Sequence, residues 1–186
     1  MNGRQLPNAI SLLRIILVAP VVWSILRHDD LAALTLISIA GVSDAMDGLL
    51  AKRFGWVTHL GTILDPLADK VFMAGSFLAA VWVGLIPPWL TALVITRDAV
   101  IIAGALVYQW RVGVFRPQPS VLSKVNTFLQ ISLVLTVVMG HYTALVPPSA
   151  VMALMTAVAL TTLTSGVDYM IHWGRRIAHA PVQEAT

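Results

Sequence analysis

The sequence predicts an all-α membrane protein, a bundle of six transmembrane helices with both termini in the cytoplasm. Of its 186 residues, 58% are hydrophobic and 11% are charged, and the mean hydropathy is +0.82. No soluble domain of this length needs so much apolar surface. Six apolar stretches, each with about the twenty residues that cross a bilayer, are separated by short polar or proline-containing turns. We therefore expect a single integral membrane domain over residues 1–186.

The first three stretches precede a double-proline break. The first has possible helix starts at Pro7-Asn8 and at Ser11 and runs to about Leu26. Its Arg14 is expected at the membrane interface or facing a site. The second covers residues 31–53. After a loop, the third covers residues 61–84 and is expected to have Pro66 in its first turn, where a missing N–H costs little.

The last three stretches are also bounded by proline or glycine. Pro87 and Pro88 precede the fourth stretch, at residues 89–110. The fifth covers residues 120–140 and the sixth residues 149–173. The fourth contains the charged pair Arg97 and Asp98, which is unusual inside an apolar helix and indicates a paired or functional position.

The distribution of basic residues sets the expected orientation. Six spans place seven of them on one side: Arg4, Lys52, Arg53, Arg111, Arg116, Arg175 and Arg176. Only Arg27 lies near the other side. By the positive-inside rule the basic side is the cytoplasm, so we expect the active site to face the cytoplasm. We also expect an integral protein of a bacterial-type inner membrane. The net charge of +3 fits anchoring to anionic lipid and does not indicate a nucleic-acid partner.

Four of the nine acidic residues form two pairs within one segment. Asp44 and Asp47 are spaced i,i+3, and Asp65 and Asp69 are spaced i,i+4, so each pair lies on one helix face. Two such faces turned toward each other make an all-oxygen cage suited to Mg²⁺ or Mn²⁺. Four carboxylates carry enough charge for two ions, and without a cation they would repel one another. The alternative is a helix-end salt-bridge cluster with neighbouring lysines and arginines.

Small and basic residues accompany these carboxylates. Gly48 removes a side chain beside Asp47, and Ala51 keeps the same face shallow one turn later. Lys52 adds positive charge where the helix leaves the membrane, and Gly61 precedes Asp65 by one turn.

This segment resembles the signature of the CDP-alcohol phosphatidyltransferases, D-x-x-D-G-x-x-A-R-x8-G-x-x-x-D-x-x-x-D. Seven positions match, namely Asp44, Asp47, Gly48, Ala51, Gly61, Asp65 and Asp69. One departs, because Lys52 stands where the family has arginine; the charge is kept but the planar guanidinium is lost.

The resemblance implies transfer of a phosphatidyl group from CDP-diacylglycerol to an alcohol, with release of CMP, by a homodimer in the bilayer. It implies that Asp69 is the general base and that two Mg²⁺ or Mn²⁺ ions are bound by Asp44, Asp47, Asp65 and Asp69. Gly48 and Ala51 would make room for the nucleotide, and Lys52 would hold its phosphates.

The expected acceptor pocket rests on a second resemblance. Residues 123–127, S-K-V-N-T, followed by Gln130, are similar to the cardiolipin synthase branch of the family, whereas phosphatidylglycerophosphate synthases tend to have a second lysine in place of Asn126. Arg97, Lys124 and Asn126 are thus expected to bind the acceptor, phosphatidylglycerol in the favoured interpretation and glycerol 3-phosphate in the alternative.

Other interpretations of these residues stay open. Arg97 is alternatively an ion-pair partner of Asp98, and the Lys124 side chain alternatively extends to the membrane interface. A hypothesis of another class is a transporter or channel with carboxylates inside the membrane. A transport path should have polar groups near the midplane and toward both faces, whereas these acids cluster at one face.

Overall fold

The chain forms six helices in the part that the structure describes. The computed structural model describes the backbone of residues 6–54, 59–112, 121–143 and 145–178, and the side chains of residues 9–44, 65–104, 121–143 and 145–170. The helices are α1 (Leu6–Leu26), α2 (Asp30–Phe54), α3 (His59–Trp82), α4 (Pro88–Val112), α5 (Val121–Tyr142) and α6 (Pro148–Ala178). The predicted all-α class and the order of the six helices are confirmed.

Three helices are long and apolar enough to cross a membrane within the described ranges, over Ala9–Leu26, Val121–Tyr142 and Pro148–Met170. Six transmembrane spans and cytoplasmic termini stay predictions.

The ends of the helices follow from local chemistry. The Asp29 carboxylate accepts a hydrogen bond of 3.2 Å from the backbone N–H of Ala32, which caps the start of α2. His28, just before it, has a φ of 57°. Beyond the end of α3, Gly84 has a φ of 78°, a left-handed conformation that glycine adopts without steric cost.

The expected place of Pro66 was wrong. Because α3 begins at His59, Pro66 lies about two turns inside the helix and not in its first turn. Its missing N–H therefore removes a hydrogen bond from the helix interior.

The chain divides into two compact units. Unit 1 is Met1–Pro87 with Val134–Pro148, and unit 2 is Pro88–Leu133 with Ser149–Thr186. In unit 1, α1 packs against both α2 and α3. A Cβ at Gly75 of α3 would lie 2.9 Å from Val18 Cγ1, so the glycine permits this close approach of α1 and α3. The imidazole of His141 contacts the Asp30 carboxylate at 2.6 Å and joins the end of α5 to the start of α2.

Unit 2 has an interior that is partly polar. Apolar side chains such as Leu90, Val94 and Val158 are buried in it. Among them lies a second buried set with hydroxyl, amide or guanidinium groups: Thr91, Arg97, Asn126, Gln130, Thr162 and Ser165. Buried polar groups require hydrogen-bond partners, so the contacts of this set indicate what unit 2 can bind.

Candidate active site: a carboxylate cluster held by the first helix

Arg14 of α1 joins the two predicted aspartate pairs. Its guanidinium donates hydrogen bonds from Nη1 to the Asp69 carboxylate and from Nη2 to the Asp44 carboxylate. The Arg14 side chain is only 4% exposed, whereas those of Asp44 and Asp69 are 46% and 40% exposed. A nearly buried cation therefore bridges one carboxylate of α2 and one of α3.

Ser11 of α1 reaches the third described carboxylate. Its hydroxyl donates to Asp65, and Ser11 itself is fully buried. Ser11 and Arg14 are spaced i,i+3 and so occupy one face of α1. This face turns two hydrogen-bonding side chains toward aspartates of both pairs, which gathers Asp44, Asp65 and Asp69 around α1.

Several predicted site residues lie outside the described side chains. Asp47, Gly48, Ala51 and Lys52 are all on α2. Asp47 follows Asp44 by three residues on a helix, as the predicted pairing requires. The assignment of metal and nucleotide contacts to these four residues stays a prediction.

The described carboxylates have the type of ligand atom that a hard cation prefers. Their donors are all oxygen, the ligand type of Mg²⁺ and Mn²⁺. The guanidinium of Arg14 already occupies a position between Asp44 and Asp69, so this location stabilises positive charge. Within the described side chains, no three Asp, Glu or His groups converge closely enough to hold an ion.

Arg97 of α4 lies at the centre of the polar interior of unit 2. Its Nη1 donates to Asp98 at 2.7 Å, and its Nη2 donates to Ser123 at 2.8 Å and to Ser165 at 2.5 Å. The ion pair with Asp98, the alternative left open by the sequence, is therefore present. The buried Nε has no hydrogen-bond partner within the described ranges.

Asn126 belongs to the same face of α5 as Ser123. Its Oδ1 accepts hydrogen bonds from Thr161 at 2.8 Å and from Thr162 at 2.9 Å. One turn further along α5, Gln130 is also buried. The amide nitrogens of Asn126 and Gln130 lack partners in the part of the chain that the structure describes.

Lys124 is placed differently from Asn126. It is exposed, whereas Asn126 is 0% exposed. Residues spaced i,i+2 do not face each other on a helix. Lys124 and Asn126 therefore lie on different faces of α5, and Asn126 groups with Ser123 and Gln130. The assignment of Arg97, Lys124 and Asn126 to the acceptor stays a prediction.

The sequence identified the carboxylates but not all of the residues that hold them. It left Arg14 at the interface or facing a site, and it gave no role to Ser11, Thr162 or Ser165. The sequence did indicate that α1 contributes to a polar site, because a serine and an arginine spaced i,i+3 inside an apolar run are expected to have polar partners. The local sequence does not predict which residues those partners are.

Fold and site together define an all-helical protein with apolar, membrane-type helices and a carboxylate cluster at their contact. Residues 4–164 match the family model of the CDP-alcohol phosphatidyltransferases. The chain belongs to this family, and its apolar helices accord with an integral membrane protein.

The relatives carry two kinds of enzyme name. The chain is 31% identical to the cardiolipin synthase (CMP-forming) of Rattus norvegicus, over 94% of this chain and 63% of the relative. It is 33% identical to the CDP-diacylglycerol–glycerol-3-phosphate 3-phosphatidyltransferase of Aquifex aeolicus, over 74% of this chain and 78% of the relative. A chloroplastic enzyme of the latter name from Oryza sativa is 31% identical, over 92% of this chain and 59% of the relative. The match thus spans about three fifths of the length of the rat and rice relatives.

Proposed function

We propose that this chain is a metal-dependent phosphatidyltransferase, which moves a phosphatidyl group from CDP-diacylglycerol to an alcohol and releases CMP. The observation that carries the proposal is the gathering of Asp44, Asp65 and Asp69 around Ser11 and Arg14. These three aspartates belong to the segment with the family's spacing, and the whole segment lies inside the matched residues. A purely structural salt bridge of Arg14 with Asp44 and Asp69 would not need a further carboxylate, Asp65, held by Ser11 of the same helix.

The metal site would consist of Asp44, Asp47, Asp65 and Asp69 holding two Mg²⁺ or Mn²⁺ ions. Bound there, the ions would polarise the diphosphate and stabilise negative charge on the departing CMP. Asp69 would take the proton from the acceptor hydroxyl, the role of a general base. Gly48 and Ala51 would leave space for the cytidine nucleotide, and Lys52 would offset the charge of its phosphates.

The acceptor would bind in the polar interior of unit 2. Arg97 Nε and the amide nitrogen of Asn126 are buried donors without partners among the described residues. Phosphate and hydroxyl oxygens of an acceptor would satisfy both, which removes the cost of a buried unpaired donor. Lys124, exposed at the start of α5, would meet the acceptor only where its head group reaches the surface.

Charge favours phosphatidylglycerol as the acceptor. The positive charge of Arg97 is already offset by Asp98 at 2.7 Å. A monoanionic diester needs less compensation than the nearly dianionic monoester of glycerol 3-phosphate. Neutral donors such as Asn126 and Gln130 also suit the hydroxyls of a glycerol head group. The second candidate is glycerol 3-phosphate, the acceptor in the name of the Aquifex relative.

The cellular setting completes the proposal. The cluster would open to the cytoplasm, where the CDP-activated lipid exposes its nucleotide, and the excess of Lys and Arg on that side agrees with this orientation. A homodimer in a bacterial-type inner membrane would be the working form.

A CMP-release assay in lipid tests the proposal. Purified protein receives CDP-diacylglycerol with phosphatidylglycerol, glycerol 3-phosphate, inositol phosphate or serine in turn. We expect CMP release with phosphatidylglycerol above the other three. Release with glycerol 3-phosphate alone would contradict phosphatidylglycerol as the acceptor but leave the phosphatidyltransferase assignment in place. Absence of CMP release with every alcohol would contradict the phosphatidyltransferase assignment itself.

A further inference from the structure

The contacts of Arg14 raise the question of how the carboxylate cluster exists before any metal is bound. Bare carboxylates in close proximity repel one another, and the repulsion is larger where water is scarce. In this structure the opposing charge comes from the chain itself. One guanidinium, 4% exposed, donates to Asp44 and Asp69 through two different nitrogens.

We propose that Arg14 is a built-in counter-ion, which holds Asp44 and Asp69 together in the metal-free protein and competes with the divalent ion for them. This inference rests on the proposed metal site. It adds that the site is never a bare carboxylate cluster, so that α1, α2 and α3 can assemble before metal is loaded. It also implies that metal binding is an exchange of cations at these two carboxylates.

The geometry of the guanidinium supports an exchange. Arginine presents several N–H donors in a fixed plane, so a single side chain bridges two carboxylates. A carboxylate oxygen that accepts from Nη1 or Nη2 is turned toward α1 and not toward a shared ion. Ser11 holds Asp65 by a neutral hydroxyl, which does not compete by charge.

Competition between two cations for one pair of carboxylates is a coupling between ligands. Couplings of this kind typically change affinity by about 5- to 150-fold. Replacing Arg14 by glutamine removes the competitor and leaves the carboxylates with repulsion that a metal relieves. The variant should therefore bind metal more tightly than the wild type, although its metal-free form is less stable. A residue with only a structural role would not tighten metal binding when removed.

The test measures Mn²⁺ affinity and metal-free stability in the full chain in lipid nanodiscs. Free Mn²⁺ is followed by electron paramagnetic resonance, and thermal unfolding is recorded in excess chelator. We expect Arg14→Gln to lower the metal-free Tm and to bind Mn²⁺ roughly tenfold more tightly. Arg14→Lys keeps the charge but loses the planar guanidinium, so its Mn²⁺ affinity and its metal-free Tm should lie between those of the wild type and of Arg14→Gln. The lysine variant remains informative if the glutamine variant does not fold.

Arg97→Gln is the matched control, because it also neutralises a buried arginine. Its described contacts are Asp98, Ser123 and Ser165, so Mn²⁺ affinity should not change. An equal gain in Arg97→Gln, or an affinity in both Arg14 variants no tighter than in the wild type, would overturn the counter-ion role while leaving the metal site intact. Absence of Mn²⁺ binding in every protein, the wild type included, would overturn the metal site itself and this inference with it.

Discussion

Gly75 is the position where one added methyl group should disturb the site from a distance. A Cβ there would lie 2.9 Å from Cγ1 and 3.3 Å from Cγ2 of two α1 residues, Val18 and Val22 respectively. Ordinary contact begins at 3.4 Å, so the first contact is 0.5 Å too short. Valine has one strongly preferred rotamer in a helix and cannot swing aside. In Gly75→Ala, α1 must therefore move relative to α3.

The size of the effect follows from two opposing terms. Overpacking of a well-packed contact costs about 1–3 kcal/mol, while Gly→Ala inside a helix gains up to about 1 kcal/mol. Gly41→Ala in α2 should give only the gain in helix propensity, because a Cβ at Gly41 meets nothing within 4 Å. Gly75→Ala should thus be less stable than Gly41→Ala by about 1–3 kcal/mol. At about 2–4 °C per kcal/mol, its Tm should be roughly 2–12 °C lower.

Thermal unfolding of both variants in the same detergent measures this difference. Arg14 precedes Val18 by one turn, so movement of α1 also displaces its guanidinium from Asp69. A misplacement of about 1 Å can cost about 10²-fold in rate, and CMP release should fall in Gly75→Ala but not in Gly41→Ala. Equal Tm and equal activity of the two alanine variants would refute the close approach of α1 and α3.

Three further predictions concern the site. Chelation of divalent ions should abolish CMP release, and Mg²⁺ or Mn²⁺ should restore it; full turnover in excess chelator would exclude the two-metal interpretation. Asp69→Asn should lose about 10²–10⁴ in turnover while keeping more Mn²⁺ and CDP-diacylglycerol binding than Asp44→Asn, and normal turnover would assign the base elsewhere. Asn126→Ala should raise KM for phosphatidylglycerol more than Thr162→Val does. The valine removes only a hydrogen-bond donor to Asn126 Oδ1 and leaves the amide nitrogen of Asn126 in place. Equal effects of the two variants on KM would mean that Asn126 serves packing alone.

The helices could be predicted because their signals are local. Apolar runs of membrane length and breaks such as Pro87 and Pro88 depend on neighbouring residues only, and the observed helices follow them closely. The start of α3 was misjudged for the same reason. Proline in a first turn is a local preference, whereas the observed helix begins at His59 and contains Pro66 in its interior.

The site was predictable only in its ligand types. The spacing of Asp65 and Asp69 shows that they share a face, and their charge requires a nearby cation. Arg14 supplies this positive charge through contacts with residues 30 and 55 positions away in the sequence. The periodicity of a helix does not predict contacts at such separations. The same holds in unit 2, where adjacency predicted the pairing of Arg97 with Asp98 but not its contact with Ser165, 68 residues away.

Coupled product formation tests the central claim most directly. Wild type and Asp44→Asn, in vesicles with Mg²⁺, receive CDP-diacylglycerol labelled in its phosphatidyl group, with and without phosphatidylglycerol. We expect the wild type to release CMP and to form labelled cardiolipin in equal amounts, only when the acceptor is present, and the variant to form neither. CMP release that is independent of any acceptor, or undiminished product formation by Asp44→Asn, would contradict phosphatidyl transfer at this carboxylate cluster.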